Sequence, residues 1–214
     1  MNKRDYLNSC VSHLFPNQFT LKINKRLKTQ EQKNKFEQLY KDVFDTKKDI
    51  METLKNNGFK IITKFSEITT TSNICYFNYR TNEVNAYVHK KLVKKPASSI
   101  NIDGTNYWKT LDLTCKKHHK EKGKKLFVNY SYNLTSISDK LFTVVDQVEG
   151  TSLTLPTSKL NHFSLPYANT CHSVQGLSLD VPITIFDANT PYVDRYFIWT
   201  ALTRATDFNN VTIF

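Results

Sequence analysis

Tyr167-Ala168-Asn169-Thr170-Cys171-His172-Ser173-Val174-Gln175-Gly176-Leu177-Ser178 is the stretch on which the reading of this chain turns. A short run passes into hydroxyls, an imidazole, an amide and a single glycine. Downstream, Ile183-Thr-Ile-Phe186 reads as a strand. Tyr192 to Arg204 reads as a helix closing on Thr200-Ala-Leu-Thr203-Arg204-Ala205, and Val211-Thr-Ile-Phe214 reads as a further strand. Strands alternating with helices require a mostly parallel sheet with crossover connections, so the fold class is α/β.

The same rhythm holds upstream. Thr20 to Ile23 is β-compatible, and Phe36, Leu39, Tyr40, Val43 and Phe44 fall at helical spacing. A basic helix over Lys47 to Asn56 stops at Asn57-Gly58, and Phe59 to Ile62 is extended again. Ile74-Cys-Tyr-Phe77 has the unbroken apolar character of a buried parallel strand. After it, Val84, Tyr87, Val88 and Leu92 predict an amphipathic helix with Thr81 or Asn82 as its cap. From Pro96 to about Phe163 the pattern changes to short strands (Lys125 to Tyr130, Leu141 to Val145, Ser152 to Leu155) parted by Gly123, Ser138-Asp139 and Gly150. The expected organisation is one α/β domain from residues 1–95 and 164–214, with a small antiparallel barrel, 96–163, inserted in it.

Lys and Arg total 30 against 19 Asp and Glu, a net charge of +11 over 214 residues, which fits a polyanionic partner such as nucleic acid, or an acidic membrane surface. No run of about 18 apolar residues exists, and Met1-Asn-Lys-Arg-Asp5 lacks the apolar core of a signal peptide, so the expectation is a soluble intracellular protein with no membrane partner. Cys10, Cys75, Cys115 and Cys171 form no Cys-x-x-Cys pair; reduced thiols are expected, and no metal site. None of the five glycines opens a Gly-x-x-x-x-Gly-Lys-Ser/Thr phosphate loop.

Thr170-x-His172-x-x-Gln175-Gly176 and Thr200-Ala-Leu-Thr203-Arg204-Ala205 resemble, in this order, motifs V and VI of superfamily 1 nucleic-acid helicases. Leu21-Lys-Ile-Asn24-Lys-Arg26 resembles their motif IV. Gln175-Gly176 and Arg80-Thr81-Asn82-Glu83 resemble the RecD-like and Dda-like branch, which moves 5′ to 3′ on single strands. Ser178 departs from another branch, which has an acidic residue there.

The resemblance implies a RecA-like parallel sheet flanked by helices, with the insertion corresponding to a Src-homology-3-like β-barrel. It implies the C-terminal part of an ATP-dependent DNA helicase, inactive alone because ATP and Mg2+ are held mainly by an absent first motor domain. Arg26 and Arg204 would then be the catalytic residues, placing guanidinium forks on the transferring phosphoryl group, a task worth about 10³ to 10⁵ in rate. Gln175, Gly176 and Thr203 would couple the nucleotide to the strand. Arg80, Thr81, Asn82, Thr170, His172 and Ser173 would bind single-stranded DNA through helix-start N–H groups, hydroxyls and charge.

Plainer readings stand beside these. Arg26 is also one of several surface cations, Thr81 and Asn82 are ordinary capping residues, and the Lys116–Lys125 run is also a solvated turn. Tyr107, Trp108, Tyr130 and Tyr132 either stack on bases or fill a small core. Expected partners are single-stranded DNA, an N-terminal motor domain of the same polypeptide and replication proteins; the expected location is cytoplasm or nucleus, or a replication site if the source is a large DNA virus. The competing class is a non-catalytic nucleic-acid-binding or scaffold module that retains the motor fold.

Overall fold

The computed structural model describes residues 30–214 apart from Lys122 and Gln147. The expected strand at Thr20 to Ile23, and Arg26 beyond it, lie outside the described residues.

Helix α1 (Gln30–Phe44) buries Leu39 and Val43, one turn apart, and sets Phe36 and Phe44 beside them. Its C-terminal carbonyls are capped from a distance: the Arg195 guanidinium donates to Val43 O at 2.7 Å and to Lys48 O. Helix α2 (Ile50–Asn56) starts at Asp49, whose carboxylate accepts from Glu52 N at 2.8 Å, and stops before Gly58, which takes φ +83°. Strands β1 (Lys60–Ile61) and β2 (Ser72–Cys75) follow, then helix α3 (Asn78–Lys91).

Two hairpins and one sheet occupy the middle of the chain. Strands β3 (Ile100–Ile102) and β4 (Thr105–Tyr107) turn on Asp103-Gly104, both at positive φ, the two-residue geometry that matches strand twist. Strands β5 (Asp112–Cys115), β6 (His119–Glu121), β7 (Lys124–Leu126), β8 (Ser131–Ile137), β9 (Leu141–Val145), β10 (Ser152–Pro156) and β11 (Phe163–Ser164) follow. β6 and β7 pair alone, and the other five make an antiparallel sheet in the order β10-β9-β8-β5-β11. The expected strand from Lys125 to Tyr130 breaks after Leu126, because Asn129 takes φ +66° and turns the chain into β8.

Strand β12 (Ala168–Thr170), strand β13 (Ile183–Ile185), helix α4 (Arg195–Leu202) and strand β14 (Val211–Ile213) complete the chain. The parallel sheet runs β1-β14-β13-β2-β12, and every pairing in it is parallel. Its two faces separate by residue parity. Ile74, Ile183 and Ile185 pack with α1, α2 and α4, while Cys75, Ala168 and Phe186 pack with Val84 and Val88 of α3 and with the antiparallel insertion. The architecture is mixed α/β, a parallel sheet with helices against it. Burial of a side chain such as Leu54 or Ile183, both fully enclosed, contributes about 1.5–3 kcal/mol each.

Helix α3 begins four or five residues earlier than a cap at Thr81 or Asn82 predicts, with Phe77 at the cap position. Neither Thr81 nor Asn82 caps it: Thr81 is buried and its hydroxyl donates to Phe77 O at 3.1 Å, one turn back within the helix. The cap comes from across the sheet. Asp187, just past β13, accepts from Tyr76 N at 3.0 Å and Phe77 N at 3.3 Å, while its other oxygen accepts from Arg80 Nε at 3.1 Å. Its carboxylate is 1% exposed against 23% for the Arg80 side chain, and its backbone sits at φ +66°, unusual for any residue but Gly, Asn or Asp. Burial works against the charge of Arg80, but the bond to Asp187 and its charge hold the guanidinium above its ordinary pKa.

Two outcomes follow for stability. Arg80→Ala leaves the buried Asp187 carboxylate with its backbone donors alone and should cost about 2–4 kcal/mol, a discount on a fully buried pair for the partly exposed guanidinium. Urea unfolding reads this, and a loss below about 0.5 kcal/mol would contradict a structural pair. His89 is packed flat against Trp108 at 5.1 Å, and burial pushes its pKa below the ordinary 6.5 although the carbonyl of Asn106 opposes this. Its neutral form therefore favours the fold, a contribution complete above pH 6.5 and lost as pH falls through the lowered value. The urea midpoint should drop between about pH 7 and 5, and His89→Gln should flatten that drop.

Candidate functional site

All five parallel strands point their C-terminal ends to one edge, and the loop leaving β12 there carries His172 to Gly176, while Thr203 and Arg204 follow α4 on the way into β14. Thr170 closes β12 opposite Cys75 of β2, and the pairing continues one step as Cys171 N donates to Cys75 O at 3.0 Å. The entry to β12 is fixed by Asn85 of α3, whose amide oxygen accepts from Tyr167 N and Ala168 N at 3.0 Å each and whose amide nitrogen donates to Ala168 O at 3.1 Å. The position of Thr170 is thus set by the helix and by the neighbouring strand.

Beyond Thr170 the chain does not enter the helix that the motif V resemblance implies. Residues 171–176 form successive turns. Ser173 donates from its N and its hydroxyl to Thr170 O, at 3.0 and 2.8 Å, and the two hydroxyls lie 3.2 Å apart. Local side-chain bonding of this kind competes with helical hydrogen bonds, and Gly176 at φ +87° ends any continuation. Buried Cys171 and Val174 pin the loop to the core, leaving His172, Gln175 and Gly176 on its exposed side.

Arg204 lies at the end of α4, after Thr203, whose hydroxyl donates to Thr200 O at 3.0 Å. The Arg204 guanidinium donates to Thr200 O at 3.1 Å, to Leu177 O at 3.2 Å and to the Thr203 hydroxyl at 3.2 Å. These three acceptors are neutral oxygens, and they orient the fork. The backbone adds a parallel bridge between Leu179 and Ala205: Leu179 N donates to Arg204 O at 2.7 Å and Thr206 N to Leu179 O at 3.1 Å. The Thr206 hydroxyl donates to Asp180 Oδ1 at 2.5 Å. The two loops that carry Gln175-Gly176 and Thr203-Arg204 are therefore stitched together.

A cleft of about 300 Å³ opens between the loop after β12, the end of β2 and helix α4, lined by Tyr76, Thr170, His172, Gln175, Tyr196 and Thr200. Tyr76 is 41% exposed and meets Phe197 edge-on at 5.2 Å, while Phe77 stacks on exposed Tyr79 at 5.2 Å. Hydroxyls, an imidazole, an amide and exposed aromatic rings can engage phosphate oxygens and base faces. Burial pushes the Cys171 thiol up, against the nearby charge of Arg204, and pushes Cys75 to about 12.

Of the sequence-predicted residues, Thr170, His172 and Gln175 share this cleft, with Ser173 bonded to Thr170 and Gly176 next along the loop. Thr203 and Arg204 join them through the bonds above. Arg80 and Thr81 have other tasks: Arg80 holds Asp187 and Glu83, at 3.1 and 2.7 Å, and Thr81 bonds its own helix. Asn82 is exposed but lies on a different groove of α3. Arg26 lies outside the described residues. Sequence reasoning missed Tyr76, Tyr196 and Asp187. The first two followed from the rule that parallel sheets carry their sites at the strand ends, but Asp187 had no local pattern to mark it.

In the insertion, Trp108 and Tyr132 are core residues, Tyr107 is half-buried and Tyr130 is 58% exposed. His118 meets Phe127 edge-on, and His119 pairs with His162 at 3.3 Å. Among the described residues no three His, Cys, Asp or Glu side chains gather as metal ligands, and no helix is long and apolar enough to cross a membrane.

No family model and no curated protein matches the chain. Among solved structures it is similar to the Pif1 helicase from Bacteroides in complex with ADP-AlF3 and ssDNA, with TM-score 0.58 and 15% identity over 100% of this chain and 58% of that one. Bacteroides Pif1 bound to ssDNA gives TM-score 0.53 and 17% identity, covering 88% of this chain and 49% of that chain. A structure of two coordinating Pif1 helicases on forked dsDNA gives 0.55 and 18%, covering 88% and 47%. The chain thus spans about half the length of these solved chains. What is shared at such identities is the fold, the parallel sheet with helices of a helicase RecA-like domain.

Gly176→Ala isolates the cost of the loop's shape. A Cβ there meets nothing within 4 Å, so the expected loss of about 1–2 kcal/mol is backbone strain at positive φ. Thermal unfolding with no change in stability would show that the loop does not hold this conformation in solution.

Proposed function

We propose that this chain is the second RecA-like motor domain of a superfamily 1 DNA helicase of the RecD-like and Dda-like branch, moving 5′ to 3′. On this reading residues 96–163 are a Src-homology-3-like barrel inserted between 1–95 and 164–214. The phosphate loop belongs to a first motor domain of the same polypeptide, which would hold ATP and Mg2+. The observation that carries the reading is the stitching of the Thr170–Gly176 loop to Thr203-Arg204 by the Leu179–Ala205 bridge and the Arg204–Leu177 bond. A motor must tie its strand contacts to its nucleotide contacts. The two groups of residues that would make those contacts here are held by one set of hydrogen bonds.

The residues present fit a nucleotide's terminal phosphate. Arg204 is a partly buried, permanently cationic fork oriented by bonds to Thr200 O and Leu177 O, and Arg26 would add a second. ATP supplies the phosphoryl group whose developing charge such forks stabilise. Thr170, His172 and Ser173 would hold the strand's phosphates, Tyr76 would offer a ring to a base, and Gln175, Gly176 and Thr203 would relay displacement between the two sites. Arg80 has no strand contact in this account, since its guanidinium serves Asp187.

In the polypeptide that includes the phosphate loop, Arg204→Ala should lower DNA-stimulated ATP hydrolysis by about 10³-fold and leave single-strand affinity within about twofold. Unchanged turnover would refute the role of Arg204. A parent polypeptide without any phosphate loop would favour the non-catalytic binding module.

A further inference from the structure

Among the described residues, strands β6 and β7 pair with each other and not with the five-stranded sheet. So short a hairpin does not hold alone, and Lys120 directly opposite Lys125 adds like-charge repulsion on its exposed face. Its other face supplies the support. His119 lies opposite Leu126, so the two side chains point the same way. Leu126 is fully buried in the core, and the His119 ring lies flat against Phe163 of β11 with centroids 5.6 Å apart. His119 Nε2 then meets His162 Nδ1 at 3.3 Å. His162 ends the short helical turn Thr157–His162, and its carbonyl accepts from Lys116 N at 2.7 Å. One anchor of the hairpin is thus apolar and permanent, and the other is a pair of imidazoles.

A bond between two imidazole nitrogens needs one N–H and one free lone pair. The neutral pair and the singly protonated pair both meet that need, whereas the doubly protonated pair turns two N–H groups and two positive charges on each other. We propose that His119 and His162 form a pH-operated latch: holding at most one extra proton the pair docks the β6–β7 hairpin, and with two it lets the hairpin swing off on Leu126 and lose its pairing. The surroundings favour the docked, less protonated state. Burial first, and then the charges of Lys117 in the link from β5 and Lys159 in the helical turn, hold both rings below the ordinary 6.5, and His162 adds to the effect on His119. Beside them are half-buried Lys116, itself pushed down by burial, the Cys115 thiol, which donates to Lys117 O at 2.9 Å, and exposed His118, edge-on to Phe127. Lys124 of β7 donates to Ser152 Oγ at 3.4 Å. Because the lowered values belong to the docked state, docking is complete above pH 6.5 and is lost as pH falls through them. The latch sets whether the basic arm of the insertion is an ordered face or a loose chain, and it stands independently of the strand-binding reading.

The experiment uses the whole chain, with imidazole NMR to count protons on the two rings and amide exchange protection to read the hairpin, from about pH 7.5 to about pH 5. Both rings should titrate below 6.5 in two steps. Protection over residues 119–126 should fall about tenfold or more as the second proton binds, while residues 131–145 keep theirs. That locality separates the latch from His89, whose titration acts on the whole fold. His119→Gln with His162→Asn places amide groups near the two ring-nitrogen positions and should make hairpin protection equal at both ends of the range. If that variant leaves the hairpin unprotected throughout, the titration of the unmodified chain still decides. Hairpin protection that survives with both rings protonated would overturn the latch. Protection at neutral pH that collapses on adding a chelator would show a metal ion held between the rings and would overturn it too.

Discussion

One buried carboxylate holds the working edge of this fold in shape. In a parallel sheet every strand delivers its C-terminal end to the same side, where backbone groups run out of ladder partners and must be satisfied otherwise. Asp187 does this at the centre of the edge, taking the N–H groups of Tyr76 and Phe77 and the guanidinium of Arg80 while its own backbone stays in the left-handed region. Because β13 lies beside β2, this single side chain fixes where α3 starts. Asn85, two turns into α3, then fixes where β12 starts, and so where Thr170 ends it. The cleft is the downstream result of that chain of bonds.

The same edge-to-edge bonding ties the two motif segments together. Gln175-Gly176 and Thr203-Arg204 are distant in sequence, yet they share the Leu179–Ala205 bridge and a guanidinium that reaches a carbonyl of the other loop. A displacement of either loop must stretch bonds that the other loop also uses. The exposed His172 and Gln175 of the first of these loops stand beside Tyr76 in the cleft. The basic surface of the insertion widens the area over which a polyanion could be held.

Much of the parallel layer was legible before any coordinates. The helical stripe of Leu39 and Val43, the stop at Gly58, the strands at Ile74 and Ile183 and the helix before Arg204 all follow from periodicity and turn chemistry that act locally. The insertion was legible only as short strands with turns. Its β3–β4 hairpin carries an Asp-Gly signal in plain view, but β5, β8 and β11 gain their identity from neighbours far along the chain. At the candidate site, Thr170, His172 and Gln175 line one cleft, whereas Arg80 bonds Asp187 and Thr81 bonds its own helix. No pattern near residue 80 could announce that partner. The loop after Thr170 failed as a helix for a similar reason, since hydroxyls that recommend a helix cap can also close successive turns.

The claim at the centre of this account is that a strand lies across the C-terminal edge of the parallel sheet. Amide hydrogen exchange on the chain with and without an oligothymidylate reads it directly, at low salt and at concentrations that saturate binding. Slowed exchange should concentrate in peptides covering residues 76–82 and 170–178. Protection confined to the Lys116–Lys125 hairpin, with the sheet edge exchanging as it does without DNA, would contradict it.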